Sequence, residues 1–326
     1  MENMTIEEAG QILERLKSEL GRAVIGQQEV VEQLAVCLFA GGHALLTGVP
    51  GLGKTLLVKS IARLFALTFR RIQFTPDLMP SDIFGTEVLE EDPQTGKRDF
   101  RFLPGPVFAN LVLADEINRT PPKTQAALLE AMGEGHVTAG RQTRVLEQPF
   151  FVLATQNPIE LEGTYPLPEA QLDRFLLNIV MDYLPQQDEV TMVKQTTALG
   201  EPDLKPILDA PKILALQQLV RQVAAPDNVV SYAVRLCAAT RPNTDTASPE
   251  VRTMVQWGAG SRASQAMVLA GKARALLAGR YNVACEDIRA LAIPILRHRV
   301  IPNFRASAEG KNAVSIIQTI LKTVSE

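Results

Sequence analysis

Apolar residues along this chain follow two distinct rhythms. In the first they form short unbroken runs: His43-Ala44-Leu45-Leu46-Thr47, Leu111-Val112-Leu113-Ala114 and Phe150-Phe151-Val152-Leu153-Ala154-Thr155. Such runs suit central strands of a parallel sheet, which are buried on both faces. In the second, apolar positions recur at helical spacing. Thr5-Ile6-Glu7-Glu8 has a capping-box pattern, and Ile6, Ala9, Leu13, Leu16 and Leu20 continue it. A second helix is predicted from about Gln27 to Ala40, and a third where Leu56, Leu57, Ile61, Leu64 and Phe65 share a face. After Leu184-Pro185 the text becomes mainly helical, with apolar spacing over 210–224, 229–239, 262–277, 286–296 and 311–323. The pattern predicts an α/β domain over 1–184 and a smaller helical domain over 185–326.

Two stretches interrupt the α/β rhythm. Thr86–Phe102, with a turn at Asp92-Pro93-Gln94-Thr95-Gly96-Lys97, reads as a hairpin, and so does His136–Val145. They either contact a substrate or central pore, or cover the sheet edges.

Candidate chemistry sits where the predicted strands end. Gly48-Val49-Pro50-Gly51-Leu52-Gly53-Lys54-Thr55 fills every fixed position of G-x-x-x-x-G-K-S/T. Its glycines allow a tight turn whose N–H groups point inward at phosphate oxygens. Lys54 supplies a charge for the β- and γ-phosphates, and the Thr55 hydroxyl can ligate Mg²⁺. The loop lies between a strand and a helix N-terminus, the arrangement that binds phosphate. Asp115-Glu116 closes the second run, so Asp115 is placed to hold Mg²⁺ and Glu116 to activate a water for hydrolysis. Asn157, after the third run, is the candidate to sense the γ-phosphate.

In that order, followed by Leu172-Asp173-Arg174-Phe175 and Gly260-Ser261-Arg262-Ala263, these segments resemble a P-loop NTPase of the AAA+ class. The connecting text is similar to the MoxR family: Gln73-Phe74-Thr75-Pro76-Asp77-Leu78, Asp82-Ile83-Phe84-Gly85-Thr86, Phe102-Leu103-Pro104-Gly105-Pro106 and Ala114-Asp115-Glu116-Ile117-Asn118-Arg119. The segment Glu169-Ala170-Gln171-Leu172-Asp173-Arg174-Phe175 belongs to the same set, and the likeness runs from about Val24 to His298. The resemblance implies ATP and Mg²⁺ as ligands, a helical lid, and a ring, hexameric in form, with nucleotide between subunits. It implies that Asn157 reads the γ-phosphate, that Arg174 is an arginine finger for the neighbouring subunit, and that Arg262 is a second sensor acting in cis or in trans. Arg119 is a further candidate for the interface. Val24 and Ile25 sit where such proteins touch adenine, or are ordinary core. One departure is Ser261, where the family often has proline. The family further implies a chaperone-like role on a partner with a von Willebrand factor A domain. A nucleic-acid motor and a metal-chelatase motor subunit are the alternatives.

Composition narrows this picture. The 326 residues carry a net charge of −3, which gives no global attraction for nucleic acid, although Arg141 and Arg144 on a hairpin could touch phosphates. No apolar stretch reaches membrane-spanning length, and no secretory signal is visible at the start. Cys37, Cys237 and Cys285 are scattered, which suits a reducing cytoplasm, and His43, His136 and His298 have no zinc-like spacing with them.

Overall fold

The computed structural model describes residues 5–91, 98–140, 142–158, 163–197 and 202–326. Two N-terminal helices come first: α1 (Ile6–Gly21) and α2 (Gln28–Phe39). The capping box forms as the sequence predicts. The Thr5 hydroxyl accepts from the Glu8 N–H at 3.2 Å, and the Glu8 carboxylate accepts from the Thr5 N–H at 2.7 Å.

A five-stranded parallel sheet follows, in the order β2-β5-β8-β1-β9. Its strands are β1 (Ala44–Thr47), β2 (Phe69–Gln73), β5 (Leu111–Asp115), β8 (Phe151–Gln156) and β9 (Leu177–Val180). Between them run α3 (Lys54–Leu64), α4 (Pro80–Phe84), the hairpin β3 (Gly85–Glu91) with β4 (Arg98–Pro104), α5 (Pro122–Glu134), the hairpin β6 (His136–Ala139) with β7 (Gln142–Val145), and α6 (Glu169–Leu172). The three runs singled out in the sequence are the three central strands. Alternate residues feed two cores: Leu45, Val112, Ala114, Val152 and Ala154 face α5, while Ala44, Leu46, Leu111, Leu113 and Leu153 face the α1–α3 side.

Both hairpins form. The turn at 92–97 and Arg141 lie outside the described residues. The hairpins meet each other, since the Arg144 guanidinium lies 3.7 Å over the Phe102 ring and Gly140 leaves no room for a side chain beside Glu87.

The helical part contains α7 (Gln186–Thr196), α8 (Ala210–Gln222), α9 (Asp227–Ala239), α10 (Pro249–Met254), α11 (Ser261–Leu277), α12 (Cys285–Leu296), α13 (Phe304–Ala308) and α14 (Ala313–Thr323). A short antiparallel pair, β10 (Val255–Trp257) with β11 (Ile301–Pro302), ties its middle to its end. The hydrophobic core does not stop at Leu184-Pro185. α1 and α2 pack on α11 and α8, so one continuous core joins the sheet's α1–α3 side to the helical region. No helix among the described residues is long and apolar enough to cross a membrane.

Candidate active site

The loop after β1 is held open at its base by glycine. A side chain at Gly48 would collide with the Met181 carbonyl, and Gly51 and Gly53 have φ of +86° and +78°. Gly53 caps α3, so the N-terminus of that helix faces the cleft, with Lys54 and Thr55 in its first turn. Lys54 Nζ donates to the Gly48 carbonyl and, at 3.5 Å, to that of Gln156. Burial lowers the Lys54 pKa, while the charges of Asp115 and Glu116 oppose that shift.

Pro50 through Leu56 line a cleft of about 400 Å³ together with Asp115, Glu116, Thr155 and Asn157. The structure therefore brings the phosphate-loop motif, the acidic pair and the sensor candidate to one place. Asn157 is buried there, at the end of the central strand β8. Val49 and Gly48 form the base of the loop, between β1 and the cleft.

The acidic pair is closely fixed by residues that the motifs do not name. Thr155 Oγ1 donates to Asp115 Oδ1 at 2.6 Å and accepts from the Glu116 N–H at 2.9 Å. Arg71 forms an ion pair with the other Asp115 oxygen at 2.6 Å. Glu116 has a left-handed backbone, φ 57° and ψ 49°, a conformation uncommon for a residue with a side chain. Its carboxylate accepts from the Gln73 amide at 2.7 Å and lies 3.3 Å from Arg119. Arg119, a candidate for the interface, thus contacts the acidic pair of its own chain. A signal for Thr155 was present in the sequence, as the one hydroxyl closing an otherwise apolar run. Arg71 gave none, because β2 lacks an apolar run, and Gln73 stood out only as part of a family-like segment, with no role assigned to it.

Oxygen donors suit a hard cation. Thr55 and Asp115 line the same cleft, and among the described residues no cluster of three or more His, Cys, Asp or Glu could hold a metal alone. That donor set fits Mg²⁺, which keeps waters and binds through one or two protein oxygens plus the substrate's phosphates.

Besides Gly48 and Val49 at the base of the loop, four predicted residues lie apart from the cleft lining. Val24 and Ile25 occupy the half-buried turn between α1 and α2. That turn packs on the chain after β9, where Gln27 donates to the Asp182 carbonyl at 3.4 Å. Arg174 points to α5, donating to the Leu129 carbonyl at 2.6 Å. Arg262, in the first turn of α11, is more than half exposed and lies 3.6 Å from Asp173. The loop before it is braced by α9: the Ala259 N–H donates to Thr240 Oγ1 at 2.8 Å, and Gly258 sits directly on the Thr240 carbonyl. Ser261 occupies the first position of α11, the place where proline is favoured, so the departure leaves the helix start in place.

Comparison with known proteins agrees with this architecture. Residues 43–177 match the model of the ATPase family associated with various cellular activities (AAA), and residues 248–320 match the AAA lid domain. The chain is 42% identical to "Chaperone MoxR1" of Mycobacterium tuberculosis, over 96% of this chain and 82% of that protein. It is 33% identical to "Protein MoxR" of Methylorubrum extorquens, over 96% and 93%. A crystal structure of a candidate ATPase from Cytophaga hutchinsonii, 40% identical, superposes with a TM-score of 0.91 over 98% of this chain and 96% of that one. With a parallel-sheet nucleotide domain, a helical lid and relatives of this identity along nearly its full length, the chain belongs to the MoxR family of AAA+ ATPases.

Proposed function

We propose that this protein hydrolyses ATP with Mg²⁺ as part of a ring, a hexamer, and uses the cycle to remodel or mature a partner protein. The observation that carries the reading is the single cleft lined by Lys54, Thr55, Asp115, Glu116 and Asn157. Lys54 and the inward N–H groups of the loop would hold the phosphates. Thr55 and Asp115 would hold Mg²⁺, which supplies charge neutralisation on the phosphate oxygens when bound. Glu116 would orient the attacking water and take its proton, and Asn157 would hydrogen-bond the γ-phosphate. Val24 and Ile25 would border the adenine.

Arg174 and Arg262 are absent from the cleft lining, which supports a nucleotide shared between subunits, with Arg174 reaching the neighbour's γ-phosphate. The name "Chaperone MoxR1" of a 42% identical relative supports partner remodelling. A von Willebrand factor A domain protein is the partner we infer from the family, and scattered cysteines support a cytoplasmic setting.

The test combines two inactive variants, Arg174→Ala and Lys54→Ala. Lys54→Ala should lose ATP binding and Arg174→Ala should keep it, with neither turning over ATP. Mixed rings pair an intact loop with an intact arginine at some interfaces and should recover activity. Mixed rings without recovery would sink the shared site. Partner class is read from stimulation: turnover rising with an A-domain protein supports remodelling, whereas a rise with single- or double-stranded DNA would replace it with a nucleic-acid motor.

A further inference from the structure

Arg299, just past the end of α12, is buried to 7% exposure, yet every donor it has is directed at a few neighbouring groups. Its Nε donates to Asp173 Oδ1 at 2.6 Å. Nη2 donates to the carbonyls of Asp173 at 3.2 Å and Phe175 at 2.7 Å. Nη1 donates to Leu176 O at 3.3 Å and to Ile295 O in the last turn of α12. The neighbouring His298 places Nε2 3.2 Å from the Phe175 carbonyl. Four of the five guanidinium contacts thus go to one stretch, 173–176, which links α6 to β9. That stretch carries Arg174.

The second oxygen of Asp173 lies 3.6 Å from Arg262 at the start of α11. One carboxylate is therefore placed between Arg262 in the first turn of α11 and Arg299 in the turn after α12, directly beside the candidate finger in sequence. On the other side, Arg174 rests on the Leu129 carbonyl and so close to Gly133 that a side chain there would collide with its guanidinium. A buried charge is costly unless paired, and apolar packing often stabilises a core position at least as well. What the guanidinium fork adds is geometry, since planar donors fix both distance and rotation of what they bind.

We propose that Arg299, acting with Asp173, is a positioning residue: it fixes the 173–176 backbone against the lid so that Arg174 is presented at a defined place to the neighbouring nucleotide. The inference rests on the shared-site reading of Arg174. A displacement of about 1 Å in a catalytic group can cost up to about 10²-fold in rate, so the effect should fall on turnover.

The test uses Arg299→Met, Arg299→Lys and Asp173→Asn in the full chain. Each should retain nucleotide affinity and KM for ATP within about twofold, with kcat lowered roughly 10- to 100-fold and Arg299→Lys the mildest. A misplaced finger is a defect in trans, so Arg299→Met mixed with Lys54→Ala should recover activity, as is expected of Arg174→Ala mixed with Lys54→Ala. A merely structural role would lower affinity and turnover together and would not be rescued by mixing. If Arg299→Met fails to fold, Asp173→Asn carries the same mixing test. Unchanged kcat in a folded variant overturns the inference. So does failed recovery while the Arg174→Ala control mixture recovers. If the control itself fails in mixed rings, the shared-site reading falls and this inference falls with it.

Discussion

The Gln73 side-chain amide donates to the Glu116 carboxylate at 2.7 Å, linking an edge strand to the residue we propose as the activator of water. Glu116 is held from both ends, because its N–H is bound by Thr155 and its backbone is in the left-handed region. Tertiary contacts therefore over-determine a conformation that the residue would not choose alone. Glu116→Gln keeps nearly the same shape and leaves Asp115 in place. ATP binding should stay near the parent level while turnover falls by roughly 10²–10⁴. Unchanged turnover would remove Glu116 from the chemistry.

Thr155→Val tests the bridge between the two carboxylate residues. Valine has the same outline but neither donates to Asp115 nor accepts from the Glu116 N–H. An unsatisfied buried N–H costs about 1–3 kcal/mol, so denaturant unfolding should show a loss of that size. ATPase activity should drop with it, because Asp115 loses one of its two anchors. A variant with parental stability would show that the Thr155 contacts are dispensable.

Ser261→Pro should be tolerated and should raise the thermal midpoint. The site is the first helical position of α11, and Gly260 before it is extended (φ −78°, ψ −178°), as a residue preceding proline prefers. The expected gain is about 0.4–1 kcal/mol, through a less flexible unfolded chain. Destabilisation would mean that the Ser261 N–H is needed.

Acid should weaken the fold through two buried histidines. His43 accepts from the Val152 N–H at 3.0 Å and lies 3.1 Å from the Met132 carbonyl, and burial pushes its pKa down to about 4. Burial likewise holds His298 well below the usual histidine range. A depressed folded pKa means that the unfolded state binds the proton first. Stability is thus fully present above about pH 6.5 and is lost as pH falls toward 4, on the order of 3 kcal/mol for His43. His43→Phe should be less stable at pH 7.5, where it loses both polar contacts, and should show a shallower decline over this window. An equally steep decline would exclude His43 as a contributor.

The sequence alone determined what depends on neighbours along the chain. The phosphate loop, the Thr5 capping box and the three central strands were legible because glycine, capping residues and unbroken apolar runs act locally. The edge strands β2 and β9 were not. β2 carries Arg70 and Arg71 with exposed side chains, and an edge facing solvent needs no continuous apolar run. The contacts around the acidic pair followed the same divide. Asp115 and Glu116 could be assigned from a strand end, but Gln73 and Thr155 reach them from strands 43 and 39 residues away. The largest gap concerns Arg299 and Asp173, which are 126 residues apart. Nothing local distinguishes Arg299 from Arg297, two residues before it, as the group that bonds the 173–176 segment. Only the packing of α12 against that segment creates the buried, carbonyl-lined site, and a buried guanidinium is stable only where such a site supplies its partners.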